Sequence, residues 1–194
     1  MDVFKYKNYE HYKKSQVDAN VKKFKFIWVS EDTCKHVYAA KPDAKTVLCH
    51  GCRNGAEIKH LQKLFGEGVE VIGTDISHTA NDVADMVEWD FHKVNEEWVG
   101  KFDLLYSNSF DHSYDPETCL DTWIGQLNEN GVLCIELMVG VNNNSTEMDP
   151  LKLNLEEFKQ MVEARGYKVD ESLLHTTKGD IHDYEGRLTV SRRI

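Results

Sequence analysis

The chain has 194 residues, a formal net charge of −10, 41% hydrophobic residues and 29% charged ones. That length suits a domain with a core of its own, needing no disulfide or metal staple. The acidic balance argues against a nucleic-acid partner, which calls for clustered Lys and Arg, and no apolar run is long enough for a membrane span.

Residues 1–44 read as an N-terminal helical extension, ending in a Pro42-Asp43 turn. Within it, 9–24 is a polar, aromatic-studded helix, and Tyr6, Tyr9 and Tyr12 mark it as a candidate lid; a solvated amphipathic helix is the plainer alternative. The N-terminus is Lys-rich without an apolar leader segment. The cysteines (Cys34, Cys49, Cys52, Cys119 and Cys134) are odd in number and lie mostly in apolar segments, so a cytoplasmic setting is expected. Cys49 and Cys52 form a C-x-x-C without a second pair, so no metal centre is expected.

From Thr46 the pattern changes to apolar runs alternating with amphipathic stretches. Strands are expected at 46–49, 69–74, 86–89, 102–106 and 132–135, with half-buried strands at 167–172 and 187–191. Between the first two, Ile58, Leu61, Leu64 and Phe65 have helical spacing. Asp115 followed by Pro116 is an N-cap with proline at the first helical position, and Asn130-Gly131 is expected to end that helix. Asn154 with Glu157 is a capping-box pattern, and Gly166 stops the helix it opens. Trp28, Trp89, Trp98 and Trp123 read as packing residues.

Alternating strands and helices predict a largely parallel sheet covered on both faces, with ligands at the carboxyl ends of the strands. Three features sit there. Gly51-Cys52-Arg53-Asn54-Gly55 joins the first strand to its helix, where glycines admit a ligand close to the backbone. Asp75 ends the second strand, as an acid that binds ribose hydroxyls would. Asp90-Phe91 ends the third, pairing an acceptor for an adenine amino group with a ring to pack on the base. Each is weak alone, because a lone Asp after a strand is more often a turn or cap residue; in order and in register they describe an adenosine pocket.

The stretches 47–55, 71–76, 90–92 and 102–112, with Asp115-Pro116 and 130–136 after them, resemble successive motifs of class I S-adenosylmethionine-dependent methyltransferases, of the small type-11-like kind. The resemblance covers about residues 46–138. It implies an α/β, Rossmann-like, doubly wound fold: a mostly parallel seven-stranded sheet with an antiparallel C-terminal strand, in a methyltransferase domain over 45–194. It implies S-adenosyl-L-methionine as cofactor, with His50, Gly51, Cys52, Arg53, Gly55, Asp75, Ile76, Asp90, Phe91, Ser107 and Asn108 around it.

Cys49 stands where the family usually has an acid and Arg53 where it often has glycine, so Arg53 either crowds the turn or points away to pair with Glu57. Glu57, or a residue of the N-terminal helix, is expected to replace the missing acid. Ser107 to His112 should face the methyl group, with His112 the candidate base and Asp111 second; the alternative is a pair that only fixes the loop and caps the next helix. The 142–145 stretch reads as a loop bordering the acceptor site. The acceptor is expected to be a small molecule, a sugar or another metabolite, by family analogy. Two rivals remain. A dehydrogenase would want Gly-x-Gly-x-x-Gly, and a catalytically degenerate binding or scaffolding protein would share the fold.

Overall fold

In the computed structural model, which describes residues 1–140, 144–177 and 184–194, the apolar run after Lys45 forms β2 (Thr46–His50), which lies inside the sheet. It pairs in parallel with β3 (Glu70–Asp75) on one side and β5 (Phe102–Ser107) on the other. A strand flanked on both sides and covered on both faces reads as a continuous apolar run rather than an alternating one. Beyond β3 lies β4 (Met86–Glu88); beyond β5 lies β6 (Leu127–Val139). β9 (Tyr184–Arg193) pairs antiparallel with β6 and with the edge strand β8 (Tyr167–Thr177). The seven-stranded order β4-β3-β2-β5-β6-β9-β8 reverses direction between β2 and β5, which places the switch-point crevice at the tips of those two strands.

Alternate residues of the sheet feed two cores. Val47, Cys49, Leu104 and Tyr106 face α2 (Glu31–Ala40) and α3 (Ala56–Phe65). Leu48, Leu105 and Leu133 face α4 (Pro116–Gln126) and α5 (Leu155–Glu163), where Trp123 and Phe158 are fully buried. The caps read from sequence are in place. Asp115 accepts from the Thr118 N–H, and Asn154 and Glu157 close a reciprocal capping box. No helix among the described residues is long and apolar enough to cross a membrane.

The structure departs from the sequence reading in three places. α2 was not expected: its short apolar face is anchored by the fully buried Cys34 and Val37 with Ala40 packed beside them, and Ser30 caps it through the Thr33 N–H at 3.0 Å. α4 ends at Gln126 rather than at Asn130-Gly131. Leu127 already pairs with Phe102, and the 128–131 stretch is absorbed in a register shift at the start of β6. Finally, β1 (Asp2–Val3) pairs with β7 (Leu151–Lys152), tying the N-terminus to the segment before α5. α1 (Tyr9–Lys23) matches the expected helix.

Candidate active site

After β2 the backbone turns through Gly51 (φ +74°), Arg53 (φ 43°) and Gly55 (φ +73°) into α3. The turn is lashed to the tip of β3: Cys52 N–H donates to the Thr74 carbonyl at 2.9 Å, and Arg53 N–H to Asp75 Oδ2 at 2.9 Å. Asp75 Oδ1 accepts from Ser77 N–H at 2.9 Å. Burial pushes the Asp75 carboxyl up, while these N–H groups oppose the shift. At the tip of β4 a second carboxylate is held differently. Asp90 Oδ1 accepts from both the backbone N–H of His92, at 3.0 Å, and its ring Nδ1, at 2.8 Å; His92 Nε2 meets Ser113 Oγ at 2.8 Å. Burial would raise the Asp90 carboxyl, but the His92 bonds prevail and hold it below its usual value. Its Oδ2 is buried and has no hydrogen-bond partner within 3.5 Å, and the nearby Tyr9 hydroxyl also helps to hold the carboxyl low.

Asp75, Ile76, Asp90 and Phe91 line one cavity with Gly51, beneath Tyr12, Gln16 and Asn20 of α1. Those three lie at i, i+4 and i+8 on one helix face and are 2%, 7% and 6% exposed. Asn20 Oδ1 accepts from Thr79 Oγ1 at 2.9 Å, leaving its Nδ2 buried and unpartnered. With α1 seated the cavity is ≈ 50 Å³, room for on the order of two waters.

A second cavity, of ≈ 340 Å³, adjoins the first across Lys23, Gly51, Arg53, Ser109 and His112. Its wall includes Glu57, Asn108, Asp111 and Asp149, with Phe26 and Trp28 also lining it. Asn108 Nδ2 donates to Glu57 Oε1 at 3.3 Å, while Glu57 Oε2 is buried without a partner. Burial pushes the Glu57 carboxyl up to about 7. His112 Nε2 stands 3.9 Å from Asp111 Oδ1 and 4.0 Å from Asp149 Oδ1. Ligand-type atoms of these three residues all lie within 4.8 Å of one another, a grouping the sequence reading did not assign to a metal.

The sequence-derived residues fall into three sets, with Gly51, Arg53 and His112 of the first also lining the second cavity. Gly51, Arg53, Asp75, Ile76, Asp90, Phe91 and His112 line the first cavity; Cys52, Asn108 and Asp111 line the second. His50, Gly55 and Ser107 are among the wall residues of neither. His50 is 1% exposed, its ring nitrogens meeting Thr74 Oγ1 and Gln126 Oε1, each at 2.8 Å, and burial lowers it to about 4. Ser107 Oγ donates to the His50 carbonyl, and Gly55 caps α3. Arg53 does not pair with Glu57: its Nη1 donates to the Phe26 carbonyl at 3.3 Å, while Asn54 Nδ2 donates to Phe24 and Phe26 carbonyls at 2.7 and 3.2 Å. These bonds hold the α1–α2 linker against the glycine turn. Trp28 is therefore a cavity-wall residue, 46% exposed, rather than a packing residue. Asn142 and Asn143 lie outside the described residues; Ser145 is bonded to Asp2.

The sequence reading missed Gln16, Asn20, Lys23, Phe26, Asp149 and Lys152 as wall residues, while Ser109 belongs to the Ser107–His112 segment expected to face the methyl group. The available signal was the four-residue spacing Tyr12-Gln16-Asn20, a polar face that an apolar periodicity does not register.

The chain has a methyltransferase fold. It superposes on the 1,6-didemethyltoxoflavin-N1-methyltransferase of Burkholderia thailandensis, solved with 1,6-didemethyltoxoflavin and S-adenosylhomocysteine, with a TM-score of 0.75 at 13% identity, covering 98% of this chain and 93% of that one. The plantazolicin methyltransferase BpumL, solved with S-adenosylhomocysteine, gives a TM-score of 0.60 at 13% identity over 94% and 89% of the two chains. The [4+2]-cyclase SpnF gives 0.68 at 11% identity over 84% and 80%. No family model and no curated protein matches the sequence.

Proposed function

We propose that this protein is an S-adenosyl-L-methionine-dependent methyltransferase acting on a small molecule, a sugar or another metabolite. The observation that carries this reading is Asp90 Oδ2, a buried carboxylate oxygen without a partner in a cavity shared with Asp75. A buried polar atom left unmatched costs roughly 1–3 kcal/mol. Three of the five such side-chain atoms among the described residues, those of Asn20, Glu57 and Asp90, belong to residues lining these two cavities. They match an adenosine with an ammonium-bearing tail. Asp90 Oδ2 accepts from the adenine amino group, Asp75 and Asn20 Nδ2 bracket the ribose hydroxyls, and Glu57 Oε2 holds the ammonium in place of the buried Cys49. Bound S-adenosylmethionine supplies an activated methyl group. The chain positions the acceptor in the larger cavity and takes its proton on His112, at the junction of the two cavities, with Asp111 and Asp149 facing the charge that forms.

α1 acts as the lid. A cavity of ≈ 50 Å³ is too small for a nucleoside, so cofactor entry requires α1 to lift from the strand tips. The five free, buried cysteines suit the cytoplasm. The second reading, a degenerate binding protein, is favoured by Cys49 and Arg53, which depart from the family's usual motif, and the fold also occurs in a protein named as a cyclase.

Calorimetry with S-adenosylhomocysteine tests the cofactor, with NAD as the control; binding of NAD alone would overturn the reading. Turnover of methyl-labelled S-adenosylmethionine against a panel of hydroxyl and amine metabolites then separates enzyme from degenerate binder. Binding without transfer to any acceptor favours the latter.

A further inference from the structure

His112 reaches the cavities from the loop after β5, yet its ring is held from α1. His112 Nδ1 and Gln16 Oε1 are 2.9 Å apart. An imidazole nitrogen facing an amide oxygen must carry the proton, whereas one facing an amide nitrogen must not. The orientation of the Gln16 amide therefore decides the tautomer, and the surroundings of its nitrogen decide that orientation. Gln16 Nε2 lies 3.3 Å from both the Glu147 and the Met148 carbonyl oxygens. Carbonyl oxygens only accept, so the NH2 group belongs on that side. Tyr6 OH donates to the Glu147 carbonyl at 2.5 Å, and Ser15 Oγ has the Tyr12 carbonyl at 2.9 Å and the Glu147 carbonyl at 3.2 Å as acceptors for its one proton, which leaves lone pairs of both hydroxyls for Gln16 Nε2 at 3.3 and 3.4 Å. A flipped amide would set its oxygen against two carbonyls and leave His112 Nδ1 facing an N–H donor.

Gln16 Oε1 thus accepts from His112 Nδ1–H, and the lone pair of neutral His112 lies on Nε2. Among the described residues Nε2 has no hydrogen-bond partner, and His112 lines both cavities. Gln16 is 7% exposed, and Tyr12, one turn earlier, donates its hydroxyl to the His112 carbonyl at 3.2 Å. The same helix face therefore covers the adenosine cavity and holds the histidine.

We propose that Gln16 is a positioning residue. With α1 seated, it fixes His112 as the Nδ1–H tautomer and so makes Nε2 the proton acceptor, coupling lid closure to competence of the base. This rests on the methyltransferase reading for its use in catalysis, but not for its geometry.

The test is the histidine tautomer in the 15N-labelled full-length protein, read by long-range 1H–15N correlation at about pH 8.5, above the ordinary histidine range. The His112 signals are assigned by their loss in His112→Asn. The wild type is expected to show Nδ1–H and an unprotonated Nε2. Gln16→Leu, which removes the acceptor, should convert His112 predominantly to Nε2–H. The buried His50 signals, between Thr74 and Gln126, report in each variant that the core is intact. Should Gln16→Leu disturb them, Gln16→Asn, whose amide is one methylene short of the ring, takes its place. An Nε2–H tautomer in the wild type, or an unchanged tautomer in the folded leucine or asparagine variant, overturns the proposal. Failure to bind S-adenosylhomocysteine would remove the function reading instead and leave the tautomer result standing.

Discussion

Ser109 Oγ donates to the Gly51 carbonyl at 3.1 Å, and a Cβ on Gly51 would lie 2.5 Å from both Cβ and Oγ of Ser109. The glycine turn and the loop after β5 are thus in contact across the switch point, and both bound the two cavities.

Gly51→Ala is expected to destabilise the protein by at least ~2 kcal/mol, because a side chain at φ +74° is strained and also collides with Ser109. Gly51→Ala with Ser109→Gly keeps the strain and removes the collision but also the Ser109 Oγ bond, so, measured against Ser109→Gly alone, the alanine should cost about half as much as in the wild type. Urea unfolding of the four proteins decides it; an equal cost in both backgrounds would mean that the contact is not what excludes a side chain.

Asp90→Asn should weaken S-adenosylhomocysteine binding at least ~10-fold, or about 1.4 kcal/mol. Both His92 donors converge on Oδ1, so the asparagine oxygen stays there and its NH2 turns into the cavity, donor against the adenine amino donor. S-inosylhomocysteine, with an acceptor at that position, should bind the variant better than the wild type. Calorimetry that shows no such reversal places the base elsewhere.

Glu57 makes the unliganded protein sensitive to pH. Its folded value of about 7 lies above the usual 4.5, so the folded state binds a proton more tightly than the unfolded state. The resulting stability is complete below about pH 4.5 and is lost as pH rises through 7. Glu57→Gln removes that loss. By pH 8 it should be more stable than the wild type by up to roughly 3 kcal/mol, with the gap closing in acid, while its affinity for S-adenosylhomocysteine falls. Denaturant midpoints across this range test the first part. Equal midpoints at pH 8 would show that the carboxylate is solvated.

Arg53 combines a strained backbone with a tether. At φ 43° a non-glycine residue costs ~1–2 kcal/mol, and its side chain holds the Phe26 carbonyl. Arg53→Ala should lose the tether and keep the strain, whereas Arg53→Gly loses both. Alanine is therefore expected to be the less stable variant by about 1 kcal/mol. Both should loosen the linker that carries Phe26 and Trp28, read as faster amide exchange over residues 24–30. Unchanged exchange would show that Asn54 alone suffices.

The glycine turn and Asp75 were legible because β2 and β3, which carry them, are inner strands with largely buried apolar runs, while Asp90 follows the short edge strand β4 and was legible only by its register with the other two. An apolar run such as Val47-Leu48-Cys49 announces itself, and the glycine turn that follows the buried His50 falls at the carboxyl edge of the sheet, where the two cavities lie. Likewise α3, α4 and α5 disclose themselves through apolar periodicity or local caps; Asp115-Pro116 and Asn154-Glu157 act within one turn of chain. The end of α4 was misread because Leu127 leaves the helix to pair with Phe102, a long-range bond that outweighs the local stop signal at Asn130-Gly131.

What α1 does was decided by tertiary structure alone. Tyr12, Gln16 and Asn20 are buried by hydrogen bonds and aromatic contacts to residues far along the chain: His112, Met148 and Thr79 among them. Trp28 becomes a cavity wall for the same reason, because Arg53 and Asn54 reach back to its linker. Apolar burial leaves a periodic trace in the sequence, since any apolar residue of suitable size serves. A polar face is satisfied by particular partners whose positions exist only once the chain has folded.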